Sequence, residues 1–149
     1  MTGAEFAELL HKKGYQYDVE DNNKIVVYGA GPNNTGVYLE DLDVLPSNIE
    51  FRNEGEVNLE NLDILGNNVI FNNGKSVLLD ALMDIPGSTK FNNGTYIRLD
   101  SLRSVPSSVE FNNGGNIHTK YIDTMRWGCN IEGIKPSKIF NIFVSKGWL

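Results

Sequence analysis

The sequence predicts an α+β fold whose centre is a β-solenoid of about four coils, each twenty residues long. The first observation is a repeat of that period, and repeats of this kind stack and bury one continuous core. The second observation is that the flanking segments follow other patterns, as the caps of a repeat array do. The prediction is a single domain, 1–149, with an N-terminal cap in 1–36, four repeats in 37–116, and a degenerate coil and C-terminal cap in 117–149. The four copies begin at Val37, Val57, Val77 and Ile97.

The N-terminal cap is predicted to be a helix followed by a β-hairpin. Phe6 and Leu10 stand at helical spacing, and Gly14 follows as a C-terminal cap. Residues 15–19 then alternate apolar and polar side chains, and a second extended run covers 25–28 after an Asp-Asn-Asn turn. We expect this unit to cover the first coil, so that the stack does not end in an open apolar face.

Each repeat reads Val-x-Leu-x-x-Leu-x-x-Leu-Pro-x-x-Val-x-Phe, with small variations. The Val-x-Leu and Val-x-Phe pieces are predicted strands, because alternate residues of a strand point to the same side. The middle, Leu-x-x-Leu-x-x-Leu-Pro, predicts a single helical or 3₁₀ turn that the proline ends. Thr89 is the only polar residue among the predicted core columns. The last of those columns is Phe51, Phe71, Phe91 and Phe111.

An asparagine column follows the phenylalanines in every repeat: Asn53, Asn73, Asn93 and Asn113. Inward amides can donate to and accept from the backbone groups of the turns, which would otherwise be buried without partners. The alternative is an amide ladder that binds a ligand. The glycines of the Asn-Asn-Gly sequences are interpreted as tight-turn residues rather than as a phosphate cradle.

After Ile117 the repeat decays, since Thr119 stands where the leucine is expected. The remaining apolar residues follow a different period, and residues 136–146 predict a short helix that belongs to the second cap. Trp127 and Trp148 are expected in the core of this cap.

Composition limits the class of protein. The chain has a single cysteine, Cys129, and no apolar run of the ~20 residues that a membrane span needs. No N-terminal targeting segment is recognisable, so the expected location is the cytoplasm. The formal net charge is −6, but the first repeat, 37–56, carries −5 whereas 117–149 carry +3. This gradient argues against DNA binding by the repeats and favours a basic or mixed protein surface as partner.

The repeat resembles the leucine-rich-repeat-type proteins of bacteria and bacteriophages, and the fold it implies is leucine-rich-repeat-like. The resemblance extends to the N-terminal helix and hairpin and to the segment Gly-Cys-Asn-Ile-Glu-Gly-Ile at 128–134. It implies an interaction surface rather than an enzyme, since this chain has no appended catalytic domain. If the protein is phage-encoded, its location would be the host cytoplasm.

Two outward columns are candidate partner-binding sites. Outward positions that vary in a regular array are where a solenoid can encode a specific surface, although a merely solvated strand face is the alternative. The varied row is Tyr38, Asn58, Leu78, Arg98 and His118. The second column places a carboxylate after each Val-x-Leu strand, either as a cap of the following turn or as an acidic binding stripe. Its members are Glu40, Glu60, Asp80 and Asp100, with Asp41, Asp43, Glu50, Glu54 and Glu56 adding charge to the first repeat.

No catalytic constellation, metal site or cofactor site is predicted, because His11 and His118 lack ligand-spaced neighbours and Cys129 lacks a recognisable base. The leading expectation is a non-enzymatic, protein-binding solenoid, and the resemblance adds the expectation of a phage-encoded inhibitor or modulator of a host defence protein. One alternative is an acidic nucleic-acid mimic that occupies a basic groove. Another is a structural protein that self-associates through its oppositely charged ends. Binding of nucleic acid through Lys135, Lys138 and Lys146 is the least favoured option.

Overall fold

The computed structural model describes residues 1–103, 105–106 and 108–119, which form a β-solenoid of about five turns behind one N-terminal helix. The helix, α1, spans Gly3–Lys13. The strands of this part of the chain are β1 (Gln16–Val19), β2 (Ile25–Gly29), β3 (Val37–Tyr38), β4 (Val44–Leu45), β5 (Ile49–Phe51), β6 (Val57–Asn58), β7 (Ile64–Leu65), β8 (Val69–Phe71), β9 (Val77–Leu78), β10 (Lys90–Phe91), β11 (Ile97–Leu99), β12 (Glu110–Phe111) and β13 (Ile117–Thr119).

Three sheets run along the stack, one on each side of the coils. The long sheet has the order β1-β2-β5-β8-β10-β12, the second sheet has the order β3-β6-β9-β11-β13, and the short sheet contains β4 and β7. All pairs between coils are parallel, and each residue faces the residue twenty positions later. The solenoid predicted from the twenty-residue period is therefore confirmed.

The phenylalanine column is the clearest part of the core. Phe51, Phe71, Phe91 and Phe111 are at most 1% exposed. Neighbouring rings stack with centroids 5.1–5.4 Å apart and planes within 7° of parallel. Thr89 is fully buried in its own column, as predicted. The one-coil spacing of the rings follows from the spacing of about 4.8 Å between hydrogen-bonded strands.

The predicted helical or 3₁₀ segment in the middle of each coil is only partly right. The amide of Leu42 donates to the carbonyl of Leu39 at 3.0 Å, which closes one turn of the predicted i to i+3 kind. The chain then extends into β4 instead of continuing as a helix. The reason is the neighbouring coil: Asp63 N donates to Asp43 O at 2.8 Å, and such bonds between coils require an extended backbone.

The N-terminal helix and hairpin are confirmed. Thr2 and Glu5 form a capping box, and Gly14 ends the helix in the left-handed conformation with φ of 80°. The hairpin does more than cover the first coil. Strand β2 pairs in parallel with β5, Val27 facing Phe51, so the cap is itself a rung of the long sheet.

Tyr15 closes the N-terminal edge of the second sheet. Its hydroxyl accepts a hydrogen bond from the amide of Tyr38 at 2.9 Å and donates to the carbonyl of the same residue at 3.3 Å. One side chain thus satisfies two backbone groups of edge strand β3, and such groups would otherwise be open to another strand.

At the other end, the predicted degenerate coil begins as a regular rung of the second sheet. Strand β13 continues the second sheet through Thr119, which faces Leu99 and is 5% exposed. The array thus has about five turns where four coils were predicted. The predicted C-terminal helix, Trp127, Cys129 and Trp148 lie outside the described residues.

The glycines of the Asn-Asn-Gly turns have a different role from the one predicted. Gly74, Gly94 and Gly114 do not adopt a positive φ, so these turns do not need glycine for its left-handed conformation. A Cβ at Gly94 would instead overlap the carbonyl oxygen of Gly74 in the preceding coil. Glycine is needed there because two backbones approach closely, which no side chain permits.

Candidate functional site

The outward face of the second sheet brings the varied row together. Tyr38, Asn58, Leu78, Arg98 and His118 are consecutive cross-strand partners. They therefore form one line with about 4.8 Å between rungs. The adjacency predicted from the sequence is present.

The row is not uniformly accessible. Tyr38 is 44% exposed and His118 is exposed, whereas Asn58 and Leu78 are only 8% and 6% exposed. A partner would therefore touch mainly the two ends of the row, and Asn58 and Leu78 would add little contact area.

The C-terminal end of the row combines charge and aromatic surface. The guanidinium of Arg98 lies 3.4 Å from the carboxylate of Asp80, and its side chain stays 37% exposed. Burial lowers the pKa of Arg98, but the charge of Asp80 and the hydroxyl of Tyr96 raise it by more, so the net shift is upward. The ring of Tyr96 meets His118 edge to face, with centroids 5.5 Å apart. This end presents a fixed cation beside two rings.

The acidic column lies beside the row, and two of its carboxylates contact row side chains, whereas capping of the following turns stays a prediction. The side-chain amide of Asn58 donates to Glu40 at 3.4 Å, and Arg98 binds Asp80. In the second coil the turn amide of Glu60 donates to the side-chain oxygen of Asn58, two residues before it, at 3.1 Å. The turn is thus capped by the row residue, while two carboxylates bind row side chains of the next coil.

Exposed negative charge is strongest at Glu40, Asp41 and Asp43 of the first coil, which together form the acidic corner. Glu40, Asp41 and Asp43 are all exposed, whereas Glu60, Asp80 and Asp100 are half-buried. The acidic stripe therefore weakens toward the C-terminal end, as its charge count predicts.

Glu50 does not belong to this acidic field, contrary to the prediction. It is 4% exposed on the long sheet and is bound by both Lys24 of the cap and Arg52. Burial raises the pKa of Glu50, but the hydrogen bonds from Arg52 and Lys24 lower it by more, and the net shift is downward. This burial could not be predicted from the sequence, because Lys24 is brought beside Glu50 only by the pairing of β2 with β5.

The asparagine column is structural, as its first interpretation states. The amide nitrogen of Asn73 donates to the carbonyls of Gly55, Lys75 and Ser76 at 2.9–3.3 Å, and Asn53 and Asn93 repeat the arrangement. The predicted acceptance of hydrogen bonds along the stack is wrong. The side-chain oxygens of Asn53, Asn73 and Asn93 are buried without a partner.

Two surfaces were missed by the sequence interpretation. One is the outward face of the long sheet, where Asn112 donates to Asn92 at 3.1 Å in an exposed row with Asn72. The other lies on the short sheet, where Ile64 is 58% exposed. The signal for Ile64 was visible in the sequence: an isoleucine stands where the neighbouring repeats have valine and aspartate.

A concavity of about 820 Å³ lies in the N-terminal cap, between α1 and the hairpin. Ala4 and Ala7 of the helix and Tyr17 and Val19 of β1 supply its mostly apolar wall. None of the predicted site residues lines it.

No protein-family model matches this chain, and no curated protein or solved structure matches it. Across residues 1–103, 105–106 and 108–119, no three residues among His, Cys, Asp and Glu are grouped so that they could hold a metal ion. The same part of the chain contains no helix with the length and apolar character needed to cross a bilayer.

Proposed function

We propose that this protein is a non-enzymatic binding module that recognises another protein through the outward face of its second sheet and the adjoining acidic corner. The observation that carries the proposal is the row from Tyr38 to His118, in which unlike side chains stand in register on a repeated frame. A rigid array presents such side chains with little loss of conformational entropy on binding.

The chemistry of the row suits a mixed or basic protein surface. Tyr38 offers an aromatic contact at one end, and Arg98 offers a cation at the other. Aromatic residues and arginine are over-represented among the residues that dominate protein–protein binding energy. The exposed carboxylates of Glu40, Asp41 and Asp43 would steer a basic partner toward the Tyr38 end.

The same contacts disfavour an acidic mimic of nucleic acid. Such a mimic needs a regular field of negative charge, but Glu50 is neutralised by two cations and Asp80 by Arg98. Among the described residues, Glu40, Asp41 and Asp43 of the first coil are the densest group of exposed carboxylates. Self-association through oppositely charged ends remains an alternative that sedimentation at low and high salt would test.

A narrower version of the proposal is an inhibitor or modulator, encoded by a phage, of a host defence protein in the host cytoplasm. It rests on the leucine-rich-repeat-type resemblance alone.

Affinity capture from a bacterial lysate tests the proposal. The bait is the full chain, compared with a Tyr38→Ala, Arg98→Ala variant and with a Lys90→Ala, Asn92→Ala variant on the long sheet as the matched control. We expect wild type and control to recover the same protein and the first variant to lose it. Equal recovery by all three baits would contradict the assignment of the face, and recovery of no protein by any bait would contradict protein binding.

A further inference from the structure

The short sheet presents an aliphatic strip to solvent. Strands β4 and β7 pair in parallel, with Val44 facing Ile64, and both side chains point outward while Leu45 and Leu65 are buried. Ile64 is 58% exposed, and Met83 of the next coil is 49% exposed. These are the most exposed aliphatic side chains of the described coils.

Carboxylates flank the strip around Ile64, and the exposed side chain of Arg103 follows Met83 at its C-terminal end. The amide of Asp63 donates to the carbonyl of Asp43 at 2.8 Å, and that of Arg103 donates to Met83 at 3.3 Å. By the twenty-residue register, Asp43, Asp63 and Met83 are equivalent positions of successive coils, and Val44, Ile64 and Asp84 are the next set. Asp43, Asp63 and Asp84 are all exposed.

These three carboxylates form no ion pair with another described residue. The five ion pairs of the described chain lie on α1, on the long sheet and on the second sheet. The strip around Ile64 therefore differs from the row around Arg98, where Asp80 is already bound. Its negative charge is available to a ligand.

We propose that this face, defined by Val44, Ile64, Met83 and the carboxylates of Asp43, Asp63 and Asp84, binds a basic amphipathic segment of a partner protein. Aliphatic side chains of that segment cover Ile64 and Met83, and its Lys or Arg side chains reach the flanking carboxylates. The inference rests on the protein-binding function proposed above, but it assigns the neighbouring short-sheet face, which shares Asp43 with the acidic corner, and a definite partner chemistry.

Charge complementarity selects this occupant over others. An uncharged apolar segment would desolvate the carboxylates without giving them a partner, which is costly. A nucleic acid or an acidic peptide would be repelled. A second copy of this chain, docked through the same face, would bring like charges together.

The test uses four synthetic peptides and fluorescence anisotropy. The first is an amphipathic leucine–lysine peptide; the others replace leucine by serine, replace lysine by glutamate, or scramble the order. We expect the full chain to bind the first peptide most tightly and to lose affinity as salt increases. Equal binding of the serine peptide would show charge attraction alone and would overturn the proposal, as would no binding of the first peptide.

Two variants locate the site. Ile64→Ser with Met83→Ser removes the aliphatic surface, and we expect affinity to fall about tenfold or more. Asp43→Asn with Asp63→Asn keeps the shape, and we expect weaker binding with a flatter salt dependence. Wild-type affinity in either variant would contradict the proposed site. If the variant with Ile64→Ser and Met83→Ser fails to fold, the variant with Asp43→Asn and Asp63→Asn still tests the location of the site.

The Tyr38→Ala, Arg98→Ala variant separates this inference from the proposed function. We expect it to bind the first peptide as wild type does, because its changes lie on the second sheet. Loss of the lysate partner with retained peptide binding supports both proposals. Retention of the lysate partner by the wild type without any peptide binding would remove only the inference about the short sheet.

Discussion

Asn92 and Asn93 are neighbours in one turn, yet they belong to different regions of the molecule. Asn93 is 2% exposed and donates to three backbone carbonyls, whereas Asn92 lies in solvent and contacts Asn112. The position of Asn93 holds asparagine in all four repeats, but that of Asn92 is Arg52 in the first. A step of one residue along the chain thus moves a side chain from the fixed interior to the variable surface.

This contrast distinguishes the columns of the repeat that stabilise the fold from those that can contact a partner. Interior positions are constrained by the coil above and the coil below, so the same residue recurs. Outward positions face solvent, and the sequence changes there without disturbing the stack. Substitution of an interior residue should therefore cost more stability than substitution of its outward neighbour.

The largest expected effect is in the phenylalanine column. Phe71→Ala leaves a cavity between two stacked rings, and we expect the free energy of unfolding to fall by about 3–5 kcal/mol. The matched control is Ile70→Ala, its half-buried outward neighbour. Denaturant titration measures both. A loss below about 1 kcal/mol for Phe71→Ala, or equal losses for the two variants, would break the distinction.

The next effect concerns close approach of backbones. Gly94→Ala places a Cβ against the carbonyl of Gly74, and we expect a loss of about 1–3 kcal/mol from the shift that relieves the overlap. The equivalent position in the first repeat is Glu54, where a side chain is tolerated. Glu54→Gly is therefore the control, with little expected change in melting temperature. An unaltered melting temperature for Gly94→Ala would show that the coils are not so closely stacked.

Glu50 is an exception to the difference between interior and outward positions, because it is an outward residue that is nevertheless buried. Glu50→Gln removes the charge that Lys24 and Arg52 share, and we expect a loss of about 1–3 kcal/mol near neutral pH, reduced by the partial exposure of Arg52.

The pH dependence of that loss has a definite sign. The pKa of Glu50 is lowered on folding, so its stabilisation is full above its ordinary value of 4.5 and disappears as pH falls through the folded value. Unfolding free energies measured from neutral pH downward should therefore converge for wild type and Glu50→Gln in acid. A gap that stays constant or widens would show that the carboxylate does not carry the effect.

Much of the interior followed from the sequence. The period set the register, because Phe51, Phe71 and Phe91 can stack only if equivalent residues face one another. The helix and its cap followed from local patterns at Thr2 and Gly14. These features depend on a residue and its neighbours in sequence, or on exact repetition.

The features that could not be predicted depend on contacts between segments that do not repeat. Tyr15 closes the edge of β3, and Lys24 neutralises Glu50, only because the hairpin joins the long sheet. The short sheet was not predicted, because leucines spaced by three residues are compatible both with a helical turn and with a turn followed by a short strand such as β4. Among the site residues, the alignment of Tyr38 with Asn58 was predictable, but the burial of Asn58 and Leu78 was not.

If interior columns hold the stack and outward ones do not, the two asparagines of one turn must differ in their contribution to stability. Asn93→Ala and Asn92→Ala should be compared by equilibrium unfolding in denaturant under identical conditions. We expect Asn93→Ala to lose about 1–3 kcal/mol, because it deprives buried carbonyls of their donor, and Asn92→Ala to stay within about 0.5 kcal/mol of wild type. Equal losses, or a larger loss for Asn92→Ala, would contradict the account.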